Sequence, residues 1–262
     1  MSPATPIITL GEPLIELSSV DSTNIYAISQ VQQQMAVSGS CYRANFQTHG
    51  KGQMGKSWGS EKGENLLCSH VLGLSSIPNP LEKDAKWTQS QQFGLSVAVS
   101  LALTDFFEAH SGGETSIKWP NDLYWRDRKA GGILIENTLR GTEWTWAIIG
   151  TGINVNQTKF PEALQNAVSL KQITGKSFDI ALLQKELSAA LTKRVNEWIT
   201  GKFETMLIEY NNRLFKKGEL VKFKQHQIGF TGKVIGVNAV GQLIVEHGIE
   251  QTYNFGELIW EI

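Results

Sequence analysis

Residues 50–57 read Gly50-Lys51-Gly52-Gln53-Met54-Gly55-Lys56-Ser57 and satisfy two phosphate-handling patterns at once. The whole stretch fits G-x-x-x-x-G-K-[ST], and its first six residues fit G-x-G-x-x-G. Glycines here free backbone N–H groups to face an anion, and the two lysines add charge. Both patterns need a context: a buried apolar strand before the loop, and after it a helix whose N-terminus faces the phosphates. The approach, Ala44-Asn45-Phe46-Gln47-Thr48-His49, is polar, and Ser57-Trp58-Gly59-Ser60 followed by Gly63 does not open a helix. No apolar strand ending in a magnesium-binding aspartate is evident downstream, and residues 69–74 supply no acidic partner for a dinucleotide. The H-R-D and D-F-G of protein kinases are absent. The expectation is a strand–loop–strand cradle for an anion such as phosphate, with an unliganded surface loop as the competing reading.

Further polar constellations follow in chain order. Lys118-Trp119-Pro120-Asn121-Asp122 precedes Arg128-Lys129-Ala130-Gly131-Gly132, and Gly150-Thr151-Gly152-Ile153-Asn154 comes after. Taken singly, each has a structural explanation. Pro120-Asn121-Asp122 reads as a type I turn, Lys129 as a solvated lysine entering a strand, and Ser22, Thr23 and Asn24 as helix N-caps. Their joint occurrence in this order points to chemistry.

The elements that must position these residues are legible in outline. After an irregular lead-in marked by Pro3, Pro6 and Pro13, the spacing of Ile25, Ile28, Val31 and Met35 predicts a helix ending near Gly39. Strands are expected over 41–47, 66–72 and 116–119, and a hairpin pairs 131–137 with 144–149. The strongest helix, 91–110, carries Phe93, Val97, Leu101 and Phe106 or Phe107 on one face and stops at Gly112-Gly113. Further helices are expected over 179–198 and 203–214. Beyond Lys216-Lys217-Gly218 the texture changes to short strands over 219–224, 229–237, 242–246 and 251–255, which predicts a small β barrel. The fold class is α+β, with one domain over 1–216 and a second over 217–262.

Composition narrows the class of function. Twenty-four Lys and Arg against 25 Asp and Glu leave a net charge of −1, so no basic excess advertises nucleic acid. No apolar run reaches the roughly 18 to 20 residues of a membrane span. Residues 1–10 lack the pattern of a secretion signal, and Cys41 and Cys68 form neither a disulfide framework nor a zinc pattern. These features describe a reduced, cytoplasmic protein.

The chain resembles the biotin–protein ligases, enzymes that attach biotin to a carrier-domain lysine. The resemblance rests on Ser22-Thr23-Asn24, Gln47, the loop from Gly50 to Trp58, Lys118-Trp119-Pro120-Asn121-Asp122, Lys129 with Gly131-Gly132, and Gly152-Ile153-Asn154, in order and spacing. It covers residues 17–262 and corresponds to the short form without an N-terminal DNA-binding domain. Lipoate ligases share the catalytic fold, but their R-R-x-S-G-G-G signature is missing. The implied architecture is a mixed sheet flanked by helices, of the class II synthetase-like type, followed by an SH3-like barrel.

The resemblance implies a two-step reaction. Biotin and ATP, with Mg2+, form biotinyl-AMP and pyrophosphate, and a carrier lysine then takes the acyl group. It assigns catalysis to Lys129 and Lys51. Biotin contacts fall to Ser22, Thr23, Asn24, Gln47, Gly50, Lys51, Gly52, Gln53, Lys129, Gly131 and Gly132. Nucleotide contacts fall to Lys56, Trp58, Trp119, Asn121, Gly132 and Asn154, with Asp122 as the candidate magnesium ligand. The expected partner is the biotin carboxyl carrier protein or domain of a biotin-dependent carboxylase, with no DNA or membrane and a monomer or homodimer as the working state. A non-catalytic biotin or nucleotide sensor of the same fold, and an unrelated P-loop NTPase, are the alternatives. The loop departs from the family pattern, in which arginine is frequent where this chain has Lys51, Gln53, Met54 and Lys56.

Overall fold

The computed structural model describes residues 8–79 and 85–261; Pro3 and Pro6 of the expected lead-in lie outside the described residues. Seven strands form one mixed sheet: β1 (Leu14–Leu17), β2 (Cys41–Ala44), β3 (Asn65–Gly73), β4 (Thr115–Lys118), β5 (Asp122–Trp125), β6 (Arg128–Arg140) and β7 (Glu143–Asn154). Their order is β1-β2-β3-β7-β6-β5-β4. Only the β1–β2 pair is parallel. The expected hairpin is longer than its apolar core, because β6 and β7 run on beyond it to a turn at Gly141 and Thr142.

Every residue of β3 is buried. That follows from its central place in a sheet covered on both faces, where a strand need not alternate. Helix α1 (Thr23–Gln32) packs one face through Ala27 against Tyr42, Val71 and Ile148. On the other lie α2 (Gln92–Ser111) and α4 (Ile180–Ile199). Helix α2 is buried nearly all round rather than on one stripe, because it sits between the sheet and the outer helices α4 and α5 (Phe203–Asn212). Gly112 closes it in the left-handed conformation (φ 79°), as its sequence foretells.

Two expectations are corrected. Helix α1 ends at Gln32 rather than near Gly39, because Gln34 turns left-handed (φ 58°) and Met35 swings out to 64% exposure. Strand β2 stops at Ala44, and the polar stretch beyond it forms only an isolated bridge between Gln47 and Val20. The Trp119–Pro120 peptide, in the connection that joins β4 to β5, is cis. The short α3 (Leu170–Thr174) has too few residues for a periodicity, and its sequence signal is the capping box of Ser169 and Gln172 at its start.

A second, antiparallel sheet contains β8 (Leu220–Gln225), β9 (Ile228–Val237), β10 (Leu243–His247), β11 (Ile249–Tyr253) and β12 (Ile259–Glu261), in the order β11-β10-β9-β8-β12. Its apolar face, with Phe223, Val234, Leu243 and Val245, joins the same hydrophobic cluster as the large sheet. Polar clasps fix the seat. Asn211 brackets Val237, accepting its N–H at 2.7 Å and donating to its carbonyl at 3.0 Å. Trp119 donates its indole N–H to the Gly241 carbonyl at 3.0 Å.

Candidate active site

The ends of β6 and β7, the N-terminus of α1, the glycine loop, and the turn after β11 with β12 enclose a cleft of about 630 Å³. That is the size of a small-molecule site. Its floor is laid by two glycines on one face of β7, two residues apart as strand geometry requires. A Cβ on Gly150 would lie 2.3 Å from Asn24 Oδ1, and one on Gly152 would lie 2.6 Å from Cε2 of the Trp58 ring. Only glycine lets both side chains lie flat on the sheet.

At the α1 end, polar groups are tied to each other before any ligand enters. Gln47 Oε1 accepts from the Thr23 backbone N–H at 2.7 Å and from its hydroxyl at 3.1 Å. Asn24 donates to the Leu134 carbonyl at 3.1 Å and to Glu136 at 2.8 Å. Ser69 Oγ reaches Thr23 Oγ1 at 2.7 Å and Asn24 Oδ1 at 2.5 Å. Both Asn24 amide N–H groups are thereby engaged within the protein, and the residue acts as the anchor of α1. Ser22 occupies the N-cap position yet makes no side-chain cap hydrogen bond, so its hydroxyl is left to face the cleft. The Gln47 amide N–H groups are likewise outside this network.

The loop is the strand–loop–strand cradle expected from its flanks. Gly52 N–H donates to the Lys56 carbonyl and Trp58 N–H to that of Gly50, both at 2.7 Å, with a bridge between Lys51 and Ser57. No helix follows it. Gln53 Oε1 and the Trp58 indole N–H are both buried without a partner. Both residues line the cleft. Lys129 Nζ stands 5.7 Å from the centre of the Trp58 ring.

Opposite, Lys129 donates to Asp122 Oδ1 at 2.5 Å. The main chain of Lys129 is fixed by the Asn166 carbonyl and the Val168 N–H. Asn121 donates to the Ile133 carbonyl at 2.6 Å, and Asn154 to the Val168 carbonyl at 3.2 Å. Their amide donors therefore hold the walls of the cleft. Lys118 lines the same wall, donates to Tyr124 Oη at 3.2 Å and lies over the rings of Tyr124 and Trp260. Burial, with smaller contributions from Lys129 and Lys56 against the opposing pull of Asp122, lowers its pKa to about 8.

Nearly all the residues picked out from the sequence meet in this one cleft. Gly50 and Gly131 are absent from its lining: a Cβ on Gly50 would press on the Trp58 carbonyl at 2.4 Å, and one on Gly131 on the Gly152 carbonyl at 2.9 Å. Trp119 reaches the cleft but is 3% exposed and donates to the second sheet. Sequence reasoning missed the lining residues Phe160, Leu164, Phe255, Gly256, Leu258, Ile259 and Trp260, and Ser69, which bonds Thr23 and Asn24. Ser69 carried a signal, a hydroxyl beside His70 inside a largely apolar strand, since a buried polar group needs a partner.

Four lysines, Lys51, Lys56, Lys118 and Lys129, face a single acidic lining residue, Asp122. Such a wall draws anions. No group of three potential metal ligands occurs among the described residues, and Asp122 is already engaged by Lys129. The residues do not form a protein-held magnesium site; a magnesium ion bound mainly by substrate phosphates needs none.

Comparison with known proteins agrees with this geometry. The family model described as the biotin/lipoate A/B protein ligase family matches residues 16–154. The bifunctional ligase/repressor BirA of Bacillus subtilis is 29% identical over 94% of this chain and 73% of its own length. The biotin–[acetyl-CoA-carboxylase] ligase of Mycobacterium tuberculosis is 27% identical over 70% of this chain and 64% of its own. Among solved structures, the biotin protein ligase of Aquifex aeolicus in complex with biotin and ATP superposes with a TM-score of 0.77 at 25% identity, covering 95% of this chain and 99% of that one. The chain belongs to the biotin/lipoate A/B protein ligase family.

Proposed function

We propose that this protein is a biotin–protein ligase that joins biotin to AMP at the expense of ATP and passes the biotinyl group to the acceptor lysine of a biotin carboxyl carrier protein. One observation carries the reading. A single cleft holds a hydrogen-bonded polar pocket at one end and four lysines at the other, which suits a neutral ureido ring with a carboxylate tail next to a polyphosphate.

The ureido ring needs donors and acceptors inside an apolar slot. Ser22, Thr23 and Gln47 supply them, over a floor that Gly150 and Gly152 keep low. In the first step a carboxylate oxygen bonds to the α-phosphorus and the bond to the pyrophosphate oxygen breaks. Both partners are anions, so positioning and positive charge do most of the work. Lys129, oriented by Asp122, meets the biotin carboxylate and the α-phosphate, while Lys51 and Lys56 approach from the loop. In the second step the neutral amine of the carrier lysine bonds to the biotinyl carbonyl carbon and AMP leaves with the oxygen, with Lys129 steadying the developing oxyanion. Trp58, Phe160 and Leu164 offer apolar surface to the nucleotide.

Residues 1–216 serve as the catalytic unit and 217–262 as the smaller unit that completes the cleft. Cytoplasmic location is part of this proposal, and the free, buried Cys41 and Cys68 support it.

The test is transfer of labelled biotin to a purified carrier domain with ATP and magnesium, beside a carrier lacking its acceptor lysine. Incorporation that needs both ATP and that lysine is expected. Tight biotin binding without ATP–pyrophosphate exchange would make the protein a sensor, and ATP hydrolysis indifferent to biotin would make it an NTPase.

A further inference from the structure

The turn between β11 and β12 touches both walls of the cleft. Phe255 stands edge-on to Trp119, with ring centroids 6.2 Å apart at 78°, and so braces the turn that carries Asn121 and Asp122. One residue on, Gly256 lies against the tip of the glycine loop: a Cβ built on it would sit 3.2 Å from Met54 Cε and 3.5 Å from its Sδ. Met54 is the apex of that loop, left-handed at φ 53° and 69% exposed, so its position owes nothing to a core. The loop's own hydrogen bonds, Gly52 to Lys56 and Trp58 to Gly50, close it on itself and do not tie its tip to the rest of the molecule. Next to Met54 stands Gln53, which lines the cleft with an unpartnered buried oxygen. Where the tip rests therefore decides where Gln53, Lys51 and Lys56 point. Methionine suits such a contact, because an unbranched thioether follows the surface it meets.

We propose that Met54 and the Phe255–Gly256 turn form a latch through which the second sheet holds the glycine loop over the cleft and sets how long biotinyl-AMP stays there. The second half of this statement rests on the ligase reading above. Met54 is a positioning residue: its effect reaches the ligand through the loop.

Met54→Asn isolates the contact, since asparagine tolerates the left-handed backbone and lacks the apolar reach. Two measurements on the full chain decide the matter. One is the rate at which preformed biotinyl-AMP leaves the enzyme, and the other is tryptic cleavage after Lys51 and Lys56 without biotin. In Met54→Asn both should rise about fivefold, the factor that losing roughly 1 kcal/mol makes in a closing equilibrium, while single-turnover adenylation stays within about twofold of wild type. Met54→Leu should restore both rates, and Phe255→Ala should raise both. Unchanged cleavage in Met54→Asn and Phe255→Ala overturns the latch. Faster cleavage with unchanged release overturns its control of the adenylate. If the wild type makes no biotinyl-AMP, the ligase reading falls, and the tryptic comparison still decides the latch.

Discussion

The two ends of the cleft are built on different principles. At the α1 end, Thr23, Asn24, Gln47 and Ser69 are bound to each other and to β6, so the pocket exists before a ligand arrives. At the lysine end, cations converge from the loop, from β4 and from β6 on one carboxylate. The difference matches what each end has to recognise. A neutral ring is selected by hydrogen bonds, which weaken steeply with misplacement and so need a rigid frame. A polyphosphate is drawn by charge, which acts over longer distances and tolerates side chains carried on a loop.

Breaking the lysine end at its best-anchored member should have the largest effect. Lys129→Ala is expected to lower biotin-dependent ATP–pyrophosphate exchange by between about ten- and a hundredfold while the protein stays folded. Near-wild-type exchange would reduce Lys129 to a structural partner of Asp122.

Gly150→Ala attacks the opposite end. Its methyl would meet Asn24 Oδ1 at 2.3 Å and displace the anchor of α1. A loss of about 1–3 kcal/mol in denaturant unfolding is expected, together with weaker biotin binding by calorimetry. Intact stability and affinity would show that the α1 end is not pre-built.

The lysine end should also be the pH-sensitive one. Lys118 has its pKa lowered from 10.5 to about 8 by burial. ATP affinity should therefore fall as the pH rises through about 8, and Lys118→Met should flatten that dependence in a titration of nucleotide binding. The effect on stability has the opposite sign. Between about 8 and 10.5 the unfolded chain holds a proton that the native chain has lost, so this residue makes stability increase with pH across that window. The penalty of burying its charge is fully present below it. A pH profile shared by wild type and Lys118→Met would assign the dependence elsewhere.

The smallest change expected is in Gln53→Arg. A guanidinium offers a charged fork that glutamine lacks, so release of biotinyl-AMP should slow by a few-fold. Equal release rates would remove any penalty from the arginine-poor loop.

Much of this site was legible because its residues are clustered in short polar motifs that local patterns do not otherwise need. Gly50 to Ser57 reads as a loop between strands rather than a phosphate loop, because its approach is polar and no helix follows it. Gly152 was visible as part of a motif, but its purpose depended on where Trp58 lay. Helix α2 looked amphipathic because spacing reports only periodicity, and its full burial came from α4 and α5 packing on its outer side. Ser22 looked like a cap and makes no cap bond, a choice that helix propensity cannot reveal.

The order of the longer elements, the polar clusters and the change to short strands after Lys217 follow from the sequence alone, because turn chemistry and hydrophobic periodicity are local, whereas β1, β5, α3 and β12 are too short to show there. Which strands would be neighbours beyond the β6–β7 hairpin, and hence that residues 22, 47, 129 and 152 would share one cleft, was decided by tertiary structure. So was the roof. Phe255, Gly256 and Trp260 come from the far end of the chain and reach the cleft only because the second sheet is seated on the first by Asn211, Trp119 and a shared apolar cluster. Contacts between segments so distant in the chain depend on how whole faces pack, and no local pattern encodes that.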